Sequence, residues 1–312
     1  MSSTTPTDVL QSEIPSQQRS ELFDKLLSPE LTVWVVVFIW AGNFAALKNA
    51  YTQLAPAPLA AVRFALATAL MMALLYWREG DCRFPPGSFG KFLWLGITGN
   101  TIYQMCFANG LAYTTTANSS LIVTTTPAVI AVIGGLLGVE RITRNIFLGL
   151  ALTMVGILVV MSKQGFSLSS QTLKGDLMVL GSVFCWAVYV LGMRTIGEGV
   201  SSLRATTMTM ITGAPGLVLL GLPELAKTDW HQVGGAAWFG IFYSAGLSLV
   251  LCYLLYNRNV RLLGGVKTTI YSCVIPVIAV LIAWPVLGER PTWLQALGAV
   301  LIIAGVLVTR RK

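Results

Sequence analysis

The feature that most constrains this chain is the distance over which it carries no charge. Phe92 to Val139 contains no Asp, Glu, Lys or Arg, and neither do Leu31 to Leu47, Gln232 to Asn257 or Thr268 to Gly288. A bilayer's hydrocarbon core is about 30 Å thick, and roughly 20 apolar residues cross it as a helix. The first run therefore makes two spans, and each of the others makes one. Composition agrees: 55% of the 312 residues are hydrophobic, 11% are charged and the mean hydropathy is +0.72, where a soluble domain carries about 25% charged residues. Backbone polar groups in lipid must be satisfied within the segment, so spans this apolar fold as helices. The expected class is an all-α membrane protein.

The 21 Lys and Arg against 13 acids would suit nucleic acid only if gathered on a water-facing surface. Here the bases punctuate loops, so no nucleic-acid partner is expected and the bilayer is the partner. No HxxxH, CxxC or Gly-rich phosphate loop occurs, and Cys82, Cys106, Cys185, Cys252 and Cys273 lack metal-ligand spacing. Neither metal nor cofactor is expected. The single histidine, His231, falls in a loop and reads as an interfacial residue.

The chain also repeats itself. Thr126 to Arg141, TPAVIAVIGGLLGVER, returns as IPVIAVLIAWPVLGER from Ile275 to Arg290. Pro127 matches Pro276 and Glu140-Arg141 matches Glu289-Arg290 at an offset of 149, which carries Gly149 onto Gly298 and Gly156 onto Gly305. Duplication of five segments predicts ten helices: Leu31–Ala50, Pro58–Trp77, Phe92–Tyr113, Ala117–Leu137, Asn145–Ser162, Gly175–Thr195, Leu203–Leu222, Ala236–Asn257, Val266–Leu287 and Trp293–Thr309. Residues 1–28 form a polar N-terminal tail, 29–165 the first five-helix repeat and 166–312 the second. The tail lacks an apolar h-region, so no cleaved signal is expected. With the N-terminus inside, fifteen bases fall on the inner side and six on the outer, Arg63 among the six, which predicts cytoplasmic termini. An odd number of helices per copy turns the second copy upside down. Inverted repeats of this kind surround a central cavity, with substrate bound near the bilayer midplane.

Residues at i, i+3, i+4 and i+7 share a helix face, and the duplication lets the same face be sought twice. The first span offers Trp40, Asn43, Phe44 and Leu47, echoed in the sixth by Trp186, Tyr189, Val190 and Met193. The third offers Asn100, Tyr103, Gln104 and Phe107, echoed in the eighth by Leu249, Cys252, Tyr253 and Tyr256. The fourth gives Ser119 and Thr126, and the ninth gives Thr268, Tyr271 and Ser272. Mid-span carboxamides cost free energy unless hydrogen-bonded, so Asn43, Asn100 and Gln104 point to a wet cavity. Of these, the polar and aromatic residues Trp40, Asn43, Phe44, Asn100, Tyr103, Gln104, Phe107, Thr126, Trp186, Tyr189, Tyr253, Tyr256, Tyr271 and Ser272 form the expected substrate site. The plainer alternative is that hydroxyl residues pack helices while aromatics sit at interfaces; for Ser119 and Thr268 the two readings are balanced.

No carboxylate lies near the middle of any span. An intramembrane acid is what alternates between proton and substrate in cation-proton antiporters, so uniport or exchange of neutral, zwitterionic solutes fits better. A zwitterion's ammonium can rest on Trp or Tyr faces while its carboxylate meets carboxamides, hydroxyls or freed amides. Pro127 and Pro276 leave the carbonyls of Val123 and Ser272 without their usual donors and read equally as hinge or gate and as packing kinks. The Glu-Arg pairs precede the fifth and tenth spans, where an acid complements the helix N-terminus. The paired glycines permit close helix contact. No catalytic residue is expected, because the spans offer only scattered Ser, Thr, Cys and Tyr.

WAGNFAALK (Trp40 to Lys48), Arg63-Phe64, the two proline-to-Glu-Arg stretches and the Gly-bearing fifth and tenth spans together resemble the drug/metabolite transporter superfamily, in its ten-helix EamA-type branch. The resemblance covers the chain after Ser28. It implies a helical bundle around a central cavity in a bacterial inner membrane, exporting small metabolites, amino acids prominently among them. The segment Cys185-Trp186-Ala187-Val188-Tyr189 and Tyr103 are similar to parts of the aromatic amino-acid exporters, but Thr126 stands where those tend to carry tryptophan. A broader range of amino acids is the expected substrate. Export of apolar drugs or other metabolites, and a membrane-embedded enzyme or lipid-handling scaffold, are the alternatives.

Overall fold

The computed structural model describes residues 28–114, 122–161, 170–197, 199–275, 277–278 and 293–310. Ser119, Pro276, Glu289, Arg290 and the side chain of Phe44 lie outside the described residues. The regular elements among the described residues are all helices, with no strand. In chain order they form α1 (Pro29–Ala50), α2 (Pro56–Glu79), α3, α4 (Thr126–Leu136), α5 (Arg144–Met161), α6 (Ser170–Arg194), α7 (Ser202–Leu225), α8, α9 and α10 (Trp293–Arg310). α3 joins Phe89–Gly96, a π-helical stretch Ile97–Ile102 and Tyr103–Tyr113. α8 joins Gly235–Phe242, a π-helical stretch Tyr243–Leu251 and Cys252–Leu263. α9 begins as Gly265–Thr269 and tightens to a 3-10 helix over Ile270–Val274.

Among the described residues, four helical stretches are long and apolar enough to cross a membrane: Pro56–Glu79, Leu173–Arg194, Ser202–Leu225 and Gly235–Leu263. Local chemistry sets the ends. Ser28 accepts the Leu31 N–H at 3.3 Å and Pro29 fills a first turn that needs no donor there. α2 stops at Gly80, whose φ of +77° is a left-handed conformation open to glycine. α8 runs on to Leu263, beyond the expected end at Asn257, and stops at Gly264, where φ is +97°.

The interruptions inside α3 and α8 were not legible in the sequence. A π-turn inserts one extra residue, misaligns the backbone carbonyls and leaves no compositional signature. The 149-residue offset of the duplication carries Ile97–Ile102 into Tyr243–Leu251. The prolines leave a trace too. The Val123 carbonyl freed by Pro127 accepts the Thr126 hydroxyl at 2.5 Å, and in the second copy the Ser272 carbonyl accepts the Ile275 N–H in the 3-10 turn.

Among the described residues, five antiparallel helix pairs stand out: α5–α10, α2–α7, α3–α6, α1–α8 and α4–α9. In α5 and α10 a Cβ on Gly149 would lie 2.6 Å from the Gly305 carbonyl oxygen, and one on Gly156 would lie 2.8 Å from that of Gly298. The glycines let the two backbones touch. α2 meets α7 through Ala57 and Ala61 against Gly221 at one end and Glu79 against Arg204 at the other. α3 meets α6 with Gly110 on Val179 and Gly99 on Tyr189. α1 meets α8 through Thr32 with Asn259 and Trp40 with Ser248. α4 meets α9 at Glu140 with Gly265 and at Thr124 with Cys273.

Glu140 corrects an expectation. Rather than capping the following helix α5, it reaches across to α9, accepting the Gly265 N–H at 2.5 Å and pairing with Arg194 of α6 at 3.4 Å. Arg194 in turn donates to the carbonyls of Val260 and Arg261 at the end of α8. The ends of α4, α6, α8 and the start of α9 are therefore tied together. Beside them Arg204 pairs with Glu79 at 2.9 Å and Asp81 at 3.2 Å. The Arg83 N–H first, with Arg204 adding to it, holds the Asp81 carboxyl below its ordinary range against an opposing desolvation. That contribution is present above the ordinary carboxylate range and is lost only as the pH falls through the lowered value.

Two stability measurements follow in detergent. Gly305→Val forces a side chain onto the Gly149 carbonyl and lowers the melting temperature by an amount equivalent to about 1–3 kcal/mol, whereas Gly181→Ala on α6, where nothing lies within 4 Å of the new Cβ, leaves it unchanged or raised. Glu140→Ala strips the Gly265 N–H and Arg194 of one partner at once and costs about 1.5–3 kcal/mol. Glu79→Ala, whose partner Arg204 keeps Asp81 and the Arg83 carbonyl, costs under about 1 kcal/mol.

Candidate functional site

Six aromatic side chains from four helices meet in one cluster. Trp186 of α6 is its hub, with ring centroids 4.9 Å from Tyr103, 5.1 Å from Tyr189, 5.6 Å from Tyr256, 5.7 Å from Tyr253 and 6.4 Å from Trp40. Trp40 also lies 5.2 Å from Tyr256, and Phe107 stacks on Tyr103 at 6.2 Å. Gly99, in the π-helical stretch of α3, lets the Tyr189 ring approach: a Cβ there would fall 2.2 Å from that ring. In this state the rings close on one another instead of lining an open cavity. Trp186, Tyr253 and Tyr256 are buried, while Trp40 and Tyr103 stay half-buried. Aromatic faces carry the negative end of the ring quadrupole, so if they separate they present a cage for an ammonium group.

The polar tips of these rings are pinned. Tyr256 and Thr269 share a 2.6 Å hydrogen bond. The Tyr189 hydroxyl accepts from Asn257 Nδ2 at 2.8 Å, and the same amide reaches Thr206 Oγ1 at 3.0 Å. Trp40 Nε1 donates to the Ser248 carbonyl at 3.3 Å, a carbonyl that belongs to the π-helical stretch of α8.

Next to the cluster is a cation that the sequence reading had set among the outer-loop bases. Arg63 sits two turns into α2 with 6% of its surface exposed. Its Nη1 donates to Ser244 Oγ at 2.9 Å and its Nη2 to Gln104 Oε1 at 2.8 Å, while its Cζ lies 5.5 Å from the Phe64 ring centre. Nε is buried without a hydrogen-bond partner. None of the ion pairs at Glu140, Glu79 and Asp81 includes Arg63. An arginine at the centre of a spanning helix costs about 2.5–3.5 kcal/mol to insert; two turns in, the cost is smaller, and neutral partners offset it only in part. The available signal was position: Arg63 falls inside the predicted span, where a base is not a loop charge.

The other expected site residues divide. Gln104 joins Arg63. Asn100 turns away from the cluster: it is fully buried and donates to the Thr209 carbonyl of α7 at 2.9 Å. Asn43 is half-buried and its Oδ1 has no hydrogen-bond partner. Thr126 spends its hydroxyl on Val123, beside Pro127. Tyr271 packs edge-on against Trp34 at 5.6 Å, apart from the Trp186 cluster. Ser272 is half-buried on α9. Asn257 was missed because the predicted helix ended on it.

A cleft of about 470 Å³ opens at the other end of the bundle from Glu140, lined by Tyr51 to Pro56 and Ala108. Ala108 is one turn beyond Gln104 on the same face of α3, and Pro56 lies two turns before Arg63 on α2. The cleft thus ends one turn from Gln104 along α3 and two turns from Arg63 along α2.

The sequence profile of the EamA-like transporter family matches residues 27–162 and again residues 173–311. The uncharacterized transporter YyaM of Bacillus subtilis is 31% identical over 271 residues, covering 85% of this chain and 88% of that protein. An uncharacterized transporter of Archaeoglobus fulgidus is 29% identical over 288 residues, covering 90% and 97%. A protein crystal structure at 20% identity shares the fold, with a TM-score of 0.74 over 91% of this chain and 96% of that one. With two profile matches that account for nearly all of its length, the chain belongs to the EamA-like transporter family and is a membrane transporter.

Proposed function

We propose that the protein is a secondary transporter exporting amino acids or similar small zwitterionic metabolites across the bacterial inner membrane by alternating access. The observation that carries this reading is the aromatic cluster beside Arg63, which offers ring faces for an ammonium group next to a cation. Its members come from both copies of the duplicated sequence: Trp40, Tyr103 and Arg63 from the first, Trp186, Tyr253 and Tyr256 from the second. A site split in this way changes when the copies move relative to one another.

The pairing of helices supports ten spans in two inverted repeats, 29–165 and 166–312. α2 pairs with α7, α4 with α9 and α5 with α10, each with its own counterpart, while α1 pairs with α8 and α3 with α6. Exchanging the copies maps this set of pairs onto itself. Every counterpart pair is antiparallel, which is what a two-fold axis in the membrane plane requires. In the orientation favoured by the bases both termini are cytoplasmic, and the ties around Glu140 close the cytoplasmic end. The cleft by Tyr51 to Pro56 then faces outward. Opening toward the cytoplasm requires breaking the Glu140 ties and separating the rings, with Pro127 and Pro276 as hinges.

Export of apolar drugs draws on the same rings, whose closed packing presents few polar groups. Purified protein in liposomes separates the two. Amino acids from a broad panel are expected to move without ATP, and Trp186→Ala to reduce that flux about tenfold or more. Phe147→Ala, a ring 66% exposed on α5, is expected to leave it unchanged. Gln104→Ala tells the classes apart: it lowers amino-acid flux if the substrate is zwitterionic and leaves drug flux intact if the cargo is apolar. No flux across the panel sinks the reading.

A further inference from the structure

The two contacts of Arg63 do not account for it. A guanidinium has five N–H donors in a rigid planar fork that suits a carboxylate edge-on. Here one Nη bonds a hydroxyl and the other an amide oxygen. Both acceptors are neutral and swing on flexible side chains, and Nε has no acceptor though it is buried. A structural arginine this deep would be expected to end on an acid or on helix C-terminal carbonyls, as Arg194 does on Glu140, Val260 and Arg261. Arg63 has instead a buried donor unused and two replaceable partners.

Its surroundings give the missing acceptor a shape. Phe64 bridges from the guanidinium to Tyr253, at 5.5 Å and 6.4 Å, and Gln104 adjoins Tyr103, which touches Trp186. A small molecule with an anionic end on Arg63 therefore has its remaining bulk against the aromatic cluster. The cleft ends at Pro56 and Ala108, two turns from Arg63 along α2 and one turn from Gln104 along α3.

We propose that Arg63, with Gln104 and Ser244 as its displaceable partners, is the subsite for a carboxylate on the transported molecule. This rests on the transporter reading and narrows it: the carboxylate is the required group and the ammonium an accessory one. It also gives the substrate mechanical leverage. Arg63 belongs to α2 in the first copy and Ser244 to α8 in the second, so a carboxylate that takes Nε and displaces Ser244 removes a hydrogen bond between the copies.

The test uses the full-length protein in liposomes for counterflow and in detergent for thermal stabilisation. Probes are leucine, leucinamide, isopentylamine (leucine without its carboxyl) and 4-methylpentanoate (leucine without its amine), with chloride as an inorganic control. Leucine and 4-methylpentanoate are expected to compete and to stabilise, while the amide and the amine do neither. Arg63→Gln is expected to weaken both acids roughly tenfold to a hundredfold, with Arg63→Lys in between. If the amide or amine competes as well as leucine in the unaltered protein, the subsite is wrong and the transporter reading stands; this comparison needs no variant to fold. Chloride protecting as well as the carboxylates makes this an inorganic-anion site and also overturns the proposal. If no amino acid moves, yet 4-methylpentanoate stabilises the unaltered protein and not Arg63→Gln, the amino-acid reading fails and the subsite survives.

Discussion

Inside a bundle with almost no charge, a buried polar side chain that cannot return to its own helix needs a partner on another one, and that requirement shapes this structure. Many of the bonds that meet it run between the two copies. Thr32 and Asn259 exchange bonds at 3.0 and 3.1 Å, Trp40 reaches Ser248, Arg63 reaches Ser244, Asn100 reaches Thr209 and Thr101 reaches Gly213. The opposite faces carry Phe38, Trp77, Leu136 and Phe147, all strongly exposed and suited to lipid. Polar residues thus lie where the copies meet and apolar ones where the bilayer does. A mutual surface held by single hydrogen bonds worth about 1 kcal/mol each can be rearranged. A surface held by deep hydrophobic burial alone would resist it.

Not every contact between copies is of this kind. α5 and α10 touch backbone to backbone through Gly149, Gly156, Gly298 and Gly305, and Thr153 and Thr309 return their hydroxyls to the carbonyls one turn earlier. Nothing polar is left over to serve a ligand. This pair has the character of a fixed seam, and the cluster around Trp186 that of a working face.

What could be read from the sequence tracks how far each feature depends on composition. Span existence, the duplication and the aromatic stripes are written in residue identity and spacing, and that spacing alone puts Trp40, Tyr103, Trp186, Tyr253 and Tyr256 on the faces that meet in the cluster. What failed depended on rotation or register. Asn100 shares a helical face with Tyr103 only if α3 is a regular helix, and the π-turn across Ile97–Ile102 rotates it toward α7. Glu140 was assigned to its neighbour in sequence, although the donor that needed it, Gly265, lies 125 residues away. Arg63 was visible but miscounted, because a rule that sorts bases by side treats a buried one as a loop charge.

The places where helices break from regularity lie beside the aromatic cluster and not at the seam. The π-helical stretches fall in α3 and α8, which carry Tyr103, Tyr253 and Ser244 within or directly beside them. The 3-10 turn of α9 follows Thr269, the partner of Tyr256, and α4 is broken at Thr125 ahead of Pro127. A π-turn or a proline break can shift between hydrogen-bond registers with little loss of bonding, because its carbonyls are already imperfectly matched. α5 and α10 show no such break over Arg144–Met161 and Trp293–Arg310. The cheapest motion for this fold is therefore a change of register in α3, α4, α8 and α9 around a rigid α5–α10 pair. Such a motion would shift Ser244 relative to Arg63 and Tyr253 relative to Trp186 together, because both residues ride on α8.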